Sequence, residues 1–368
     1  MDFGRLNANL TEQKTVTHPT LRRPELLDKL KEIDAQIVAL AKNRCQLLSQ
    51  WSDQLAKNGQ SSLTLRALQA TMALSASDPF DQQLQKFVAS VTFQKAVRPS
   101  SIAYLGPEFS YSYSAAAKYF GDTGALQAVN TIGAVFEEIA SGHSTYGVVP
   151  IENSTDGRIV DTLTMFIRKP IRICGEILLP IHHNLLSKCE RKEIREVYSK
   201  PQALSQCRAW LTNHLPEARW VEVASTATAA KIASTTPHAA AVASREAGMH
   251  HGLDIIAESI EDNQSNITRF AILGDESVDA TGDDKTSIMF QVPHRPGALA
   301  DVMVLFRDNR LNLTWIESFP VPGQANEYFF FVELEGHETQ SNVRAAMDSL
   351  AKTAIRLDFL GSYPRARN

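Results

Sequence analysis

Tyr146-Gly147-Val148-Val149-Pro150-Ile151-Glu152-Asn153-Ser154-Thr155-Asp156-Gly157 is an apolar run that ends in a cluster of small polar side chains. The run reads as a buried strand. The polar residues after it stand where open α/β sheets receive ligands, outside the carboxyl ends of their strands. A second segment, Asn266-Ile267-Thr268-Arg269-Phe270, leads into the apolar run Ala271-Ile272-Leu273 far along the chain. Its amide, hydroxyl and guanidinium sit at the mouth of another buried strand, a set suited to holding and protonating a small anion. Two such segments so far apart in sequence point to two lobes closing on one ligand.

Around these segments strands alternate with helices. Ile102-Ala103-Tyr104-Leu105 reads as a strand turned by Gly106-Pro107. The spacing predicts helices over 114–120 and 135–140, and strands over 147–151, 177–180, 196–198, 220–223 and 239–243. That alternation predicts an α/β fold with mostly parallel sheets from Ser101 to Gly274. The acidic stretch Asp275 to Asp284 reads as a linker. Beyond it the expected order is strand, helix, strand, strand, helix, strand, the βαββαβ plan of the ferredoxin-like superfold. Small domains of this kind pair edge to edge, so this one is expected to dimerise.

The N-terminal part is of another kind. Residues up to about 20 are polar. Leu26, Leu30, Ile33, Ile37, Leu40, Leu47, Trp51 and Leu55 then recur at helical spacing, with Pro24 in the first turn and Asn58-Gly59 at the end. Further helices are expected over 63–74 and 80–93, and Val97-Arg98-Pro99-Ser100-Ser101 reads as a linker. Residues 20–98 thus form an all-helical module that needs a partner to bury its apolar stripe.

Composition narrows the function classes. A chain of 368 residues has room for roughly two to three domains. A net charge of -4 and a pI of about 6.2 give no field to recruit nucleic acid or an anionic membrane. The sequence has no run of about 18 apolar residues, and its start lacks the apolar core of a secretory signal. A cytoplasmic protein is expected. Cys45, Cys174, Cys189 and Cys207 have no metal-ligand spacing and read as free thiols.

Three segments share the design strand, polar turn, helix start: Ser110-Tyr111-Ser112, Asn153-Ser154-Thr155 and Ser225-Thr226-Ala227-Thr228. Each serine or threonine alone reads as an N-cap. Together with Thr268 and Arg269 they suit a small organic anion, such as a dicarboxylate held at helix N-termini. No Gly-x-Ser-x-Gly elbow carries a nucleophile. His182-His183 and His250-His251 are adjacent pairs that do not face one way, and they read as surface or core residues. With no dinucleotide fingerprint either, the chemistry is expected to need no cofactor and no metal.

Tyr104-Leu105-Gly106-Pro107, Val149-Pro150-Ile151-Glu152-Asn153-Ser154, Ser199-Lys200-Pro201-Gln202-Ala203-Leu204-Ser205-Gln206-Cys207, Ser225-Thr226-Ala227 and Thr268-Arg269-Phe270 resemble, in order and spacing, the successive motifs of prephenate dehydratases. The C-terminal part is similar to the ACT regulatory domain of those enzymes. The N-terminal helices resemble the chorismate mutase fused to them in bifunctional bacterial proteins. The resemblance implies a helical mutase-like domain over 20–98, a two-lobed dehydratase domain like periplasmic binding proteins over 101–274, and an ACT domain over 286–364.

It also implies site residues. Thr268 would donate to the departing hydroxyl of prephenate, with Asn153, Ser154 and Gln206 beside it as catalytic residues. Ser110, Ser112, Ser225, Thr226, Arg269 and Phe270 would bind substrate, Arg269 being either a carboxylate anchor or a structural ion-pair partner. Gly297, Ala298, Leu299, Glu317 and Ser318 would bind phenylalanine as a feedback inhibitor. The family usually has glycine where Phe109 stands, and arginine where Phe319 stands. In the mutase module only Arg44 matches a cationic pocket residue. Leu27 stands where the family has arginine, Leu55 or its neighbours Ala56 and Lys57 where it has lysine, and Ser61 to Leu68 replaces a charged segment, which implies a degenerate mutase. The partners implied are prephenate, L-phenylalanine and further copies of the chain, as a dimer or tetramer. Arogenate as substrate, an active mutase, or a non-catalytic amino-acid sensor are the competing readings.

Overall fold

The computed structural model describes residues 23–57 and 101–367, apart from 122–125, 322, 324 and 325. The N-terminal stripe forms one helix, α1 (Arg23–Lys57). Leu30, Ile33, Ile37, Leu40, Leu47 and Trp51 stay exposed along it. The helices expected over 63–74 and 80–93 lie outside the described residues.

Chain order from residue 102 begins β1 (Ile102–Leu105), α2 (Tyr111–Phe120), β2 (Leu126–Val129), α3 (Ile132–Ala140), β3 (Tyr146–Asn153), β4 (Gly157–Arg158), α4 (Val160–Arg168) and β5 (Ile173–Pro180). The second lobe follows with β6 (Asn184–Ser187), β7 (Glu196–Ser199), α5 (Pro201–Gln206), α6 (Arg208–His214), β8 (Arg219–Glu222), α7 (Thr226–Ala233), β9 (Ala239–Ala243), α8 (Arg245–His250) and β10 (Asp254–Ala257). β11 (Ile267–Leu273) then returns to the first lobe.

The first sheet runs β2-β1-β3-β11-β5, and the second runs β10-β6-β9-β7-β8. Both are mixed, which corrects the expectation of mostly parallel sheets. β11 is antiparallel to both β3 and β5, and β6 is antiparallel to β9 and β10. The reason lies in the path: the chain leaves the first lobe along β5 and re-enters along β11 from the cleft side. A strand that enters from the cleft must run against neighbours that end there.

Period-two alternation sorts the side chains of β11. Phe270 and Ile272 join the core under α2, while Ala271 and Leu273 join the opposite core. A bulge between β3 and β11 lets Asn153 oppose Thr268 and Pro150 oppose Phe270. Bulges of this kind re-aim side chains beside functional sites.

The C-terminal domain is β12 (Asp284–Gln291), α9 (Ala298–Asp308), β13 (Leu313–Pro320), β14 (Tyr328–Glu335), α10 (Ser341–Thr353) and β15 (Arg356–Pro364). Its antiparallel sheet has the order β13-β14-β12-β15, the ferredoxin-like arrangement. One face packs on α9 and α10 through Ile288, Phe290, Val302, Phe306, Val332 and Leu350. Phe329, Phe331, Met289 and Leu360 on the other face share one core with Val149, Phe166 and Leu273 of the first lobe. The stretch expected to be a linker is pinned: Val278 is buried, and His337 Nε2 donates to its carbonyl at 2.8 Å.

Candidate active site

The lobes face each other across a cleft of about 600 Å³. Ser110, Ser112, Asn153, Gln206, Ser225, Thr226, Thr268 and Phe270 all line it. Two of the three polar turns are helix starts. Ser110 Oγ accepts from Tyr113 N at 3.3 Å, and Ser225 Oγ accepts from Thr228 N at 3.0 Å. The third is not. Asn153 caps a tight turn between β3 and β4, and its Oδ1 accepts from Thr155 N and Asp156 N, both at 3.0 Å.

Those two bonds fix the amide of Asn153, because its oxygen must be the atom facing the backbone donors. Its Nδ2 therefore faces the other way, donating to Thr268 Oγ1 at 2.9 Å and to Asn266 Oδ1 at 2.8 Å. Thr268 accepts there through one lone pair. Its own proton is left to point elsewhere, and the residue lines the cleft. A hydroxyl able to donate thus lines the cleft beside the fixed amide.

Ser154, expected beside Thr268, is not among the lining residues. Its Oγ accepts from Ile267 N at 2.9 Å and donates to Ser265 O at 3.0 Å, clipping the end of β11 to the turn. Its contribution is to the shape of the turn.

Several lining residues carry chemistry that the sequence did not reveal. His183 is buried on the cleft wall. Its Nε2 meets Gln206 Oε1 at 2.9 Å and its Nδ1 meets Tyr111 Oη at 3.0 Å. Burial holds His183 below the usual imidazole range, against the opposing pull of Gln206 and Glu261. Burial also pushes the Tyr111 phenol well up, with Cys207 and Glu261 adding to it. Both groups are neutral near pH 7. Lys200 is the one lysine or arginine lining the cleft among the described residues, and Glu108 stands at the same site. The adjacent histidines, in the link between β5 and β6, part: His182 meets Glu261 Oε1 at 2.8 Å and is half exposed, whereas His183 turns in.

Phe109 holds a left-handed φ of 61°, where glycine would be unstrained. Its ring stacks on His250 of the second lobe with centroids 3.9 Å apart, so one side chain bridges the two lobes. Among the described residues no three histidines, cysteines or carboxylates gather as metal ligands.

Residues 102–278 match the family model described as prephenate dehydratase, and residues 286–352 match the ACT domain. The chain is 40% identical over 279 residues to the bifunctional chorismate mutase/prephenate dehydratase of Aquifex aeolicus, covering 76% of each chain. It is 41% identical over 273 residues to the enzyme of the same description from Stutzerimonas stutzeri, covering 73% of this chain and 74% of that one. The crystal structure of prephenate dehydratase from Arthrobacter aurescens in complex with L-Phe superposes with a TM-score of 0.66 at 30% identity, over 72% of this chain and 90% of that one.

The chain belongs to the prephenate dehydratase family. It is a lyase of that family with an ACT regulatory domain.

In the dehydratase domain Arg269 lies on the face of β11 opposite Thr268, away from the cleft. It is buried and meets Glu333 of the ACT sheet at 2.6 and 2.8 Å, Glu176 of β5 at 3.1 Å and Glu152 of β3 at 3.2 Å. Burial works against its charge. Glu333 and its other neighbours outweigh that and hold the guanidinium more firmly protonated. Of the two roles left open for Arg269, the geometry matches the structural ion pair and leaves the substrate-anchor role without contact to the cleft. Lys285 Nζ, 3.1 Å from Glu176, completes the cluster.

In the ACT domain Gly297, with φ 82°, precedes the first turn of α9, and Ala298 N at the start of that helix donates to Arg295 O at 3.2 Å. Glu317 is engaged across the domain boundary by Arg158 Nη1 at 2.6 Å. The Arg158 guanidinium also lies 5.2 Å from the Phe319 ring centroid. Ser318 sits opposite Phe330 in the sheet. The structure therefore does not gather Glu317 and Ser318 with the 297–299 turn through any hydrogen bond among the described residues. Of the mutase positions, Arg44 is half-buried on α1, and 58–100 lie outside the described residues.

Proposed function

We propose that the cleft binds prephenate as a dianion and converts it to phenylpyruvate, with no cofactor. The C4–oxygen bond breaks and the hydroxyl leaves as water after taking up one proton. The bond to the ring carboxylate breaks as CO2 departs, and its electron pair completes the aromatic ring. What the protein must supply is a donor at the leaving oxygen and a place for two carboxylates.

The observation that carries this reading is the fixed amide of Asn153. By occupying a lone pair of Thr268 Oγ1, it leaves the threonine proton for the cleft. An aliphatic hydroxyl is far too weak an acid to give up its proton near pH 7. Thr268 therefore acts as a preorganised hydrogen-bond donor to developing charge, with the proton coming ultimately from water. Asn153 and Gln206 position the ring. Ser110, Ser112, Ser225 and Thr226, at two helix N-termini, take the carboxylates. Ser154 supports the turn, Phe270 floors the cleft, and Arg269 holds the back of β11.

Phenylalanine is the proposed effector. Its carboxylate would sit at the turn of Gly297, Ala298 and Leu299 that opens α9, with Glu317 and Ser318 nearer the domain boundary. The exposed stripe on α1 supports a homo-oligomer, and the leucine at position 27, where the related mutases carry an arginine, supports a mutase module that no longer turns over chorismate.

The test is phenylpyruvate formation from prephenate by the purified chain, with and without phenylalanine, beside chorismate consumption. Expected are turnover, inhibition by phenylalanine and no loss of chorismate. Thr268→Val should lower kcat by about 10²–10³-fold, the usual cost of removing one oxyanion-type donor. Near-normal turnover in that variant would refute the assigned role.

A further inference from the structure

Two amides meet beneath the cleft with their polarity already decided, and Asn266 stands between them. Asn153 must present its Nδ2, because Thr155 N and Asp156 N occupy its oxygen. Gln206 must present its Oε1, because its Nε2 donates to the Asp156 carboxylate at 2.6 Å, and a carboxylate can only accept. Asn266 accepts from Asn153 at 2.8 Å on one side and donates to Gln206 at 3.1 Å on the other. It is buried and is not one of the residues lining the cleft. A group here must accept on one side and donate on the other. Among side chains of this size only a primary amide, or a protonated carboxyl, does both.

The consequences run outward from this junction. Gln206 Oε1, held toward Asn266, also lies 2.9 Å from His183 Nε2 and offers an acceptor to a proton on that nitrogen. Asn153, held in plane by Asn266, keeps its second N–H on Thr268 Oγ1. We infer that Asn266 is a positioning residue that fixes the direction of the hydrogen-bond chain, so that the Gln206 amide is held in place on the cleft wall and the Thr268 hydroxyl is left to donate into the cleft. This inference rests on the dehydratase reading of the cleft.

The proposal separates polarity from packing. Asn266→Asp keeps the shape of the side chain and the acceptor for Asn153 but sets an oxygen against Gln206 Oε1. Protonation of that aspartate would restore the donor. The groups facing it are Asp156 through Gln206, Asp262 across a shared side depression, and neutral His183. Burial and the two carboxylates raise its titration above the ordinary aspartate value of about 3.9. Activity should therefore return on acidification.

The experiment is kcat and KM for prephenate with the full chain from pH 8 to pH 5.5, for wild type, Asn266→Asp and Asn266→Leu. Expected at pH 8 is a loss in kcat of about tenfold or more for both variants with KM little changed. As the pH falls, the ratio of Asn266→Asp to wild type should climb severalfold, while that of Asn266→Leu stays flat. A loss in Asn266→Asp that is independent of pH, or no loss at pH 8, would overturn the inference. If that variant fails to fold, Gln206→Glu reads the same junction, since its carboxylate would face Asp156 and only its acid form restores the donor. Wild type that does not turn over prephenate would instead remove the dehydratase reading, and the inference with it.

Discussion

His183 is neutral inside the folded protein and titrates near pH 6.5 once the chain unfolds. The unfolded chain therefore binds a proton that the folded one resists. The stability this histidine contributes is present above about pH 6.5 and is lost as the pH falls toward its lowered folded value. His251 is shifted the same way, again chiefly by burial. Unfolding free energy measured by denaturant should fall between pH 7 and pH 5, and His183→Asn should shallow that slope. An unchanged slope would place the acid sensitivity elsewhere. The same residue shows where residue-level reading from sequence stops. An adjacent histidine pair reads as surface or core residues, and only the fold shows that His182 faces out while His183 lines the cleft. Thr268 and Arg269 teach the complementary lesson: a hydroxyl and a guanidinium side by side on a strand serve opposite faces. Asn266 was legible as a polar residue at the strand mouth, but its role, like that of Asp156, exists only when Gln206 arrives from the other lobe.

At the scale of elements, the strands and helices flanking Asn153, Ser225 and Thr268 were legible because caps and apolar runs are local. Strand direction was not, because it depends on the chain crossing between lobes twice. Nor was the place where β15 passes β5. Gly361, with φ 129°, sits so close there that a Cβ would stand 2.2 Å from Ile173 O. Backbone on both sides leaves nothing flexible to move. Gly361→Ala should cost several kcal/mol through strain and overpacking. The measurement is a thermal melt of the full chain. A midpoint within about 2 °C of wild type would mean that the two strands can part without penalty.

Across the whole molecule, the dehydratase and ACT domains share the core built from Val149, Phe166, Leu273, Phe329 and Phe331, and a buried cluster of charges spans the same boundary. Tyr363 Oη and Ser287 Oγ, 2.7 Å apart, close that cluster around Glu333. Glu333→Gln would leave Arg269 short of its main partner, and stranding one member of a buried pair costs about 3–5 kcal/mol. The variant should unfold at lower denaturant. It should also lose kcat, since Arg269 is one peptide unit from Thr268. Loss of stability with kcat intact would show that the cluster is a fastener only. For regulation, this single step along β11 is one short path from the ACT sheet to the cleft.

The pinned segment around Val278 also bears on how such a chain can change over generations. Between two independently folded modules a crossover in the intervening gene segment is silent. Here it would pair one parent's Phe331 and Glu333 with another parent's Phe166 and Arg269, contacts each lineage had adjusted to itself. The two halves are expected to be inherited as one unit, and viable hybrids should place their junctions before residue 101 rather than at the apparent seam.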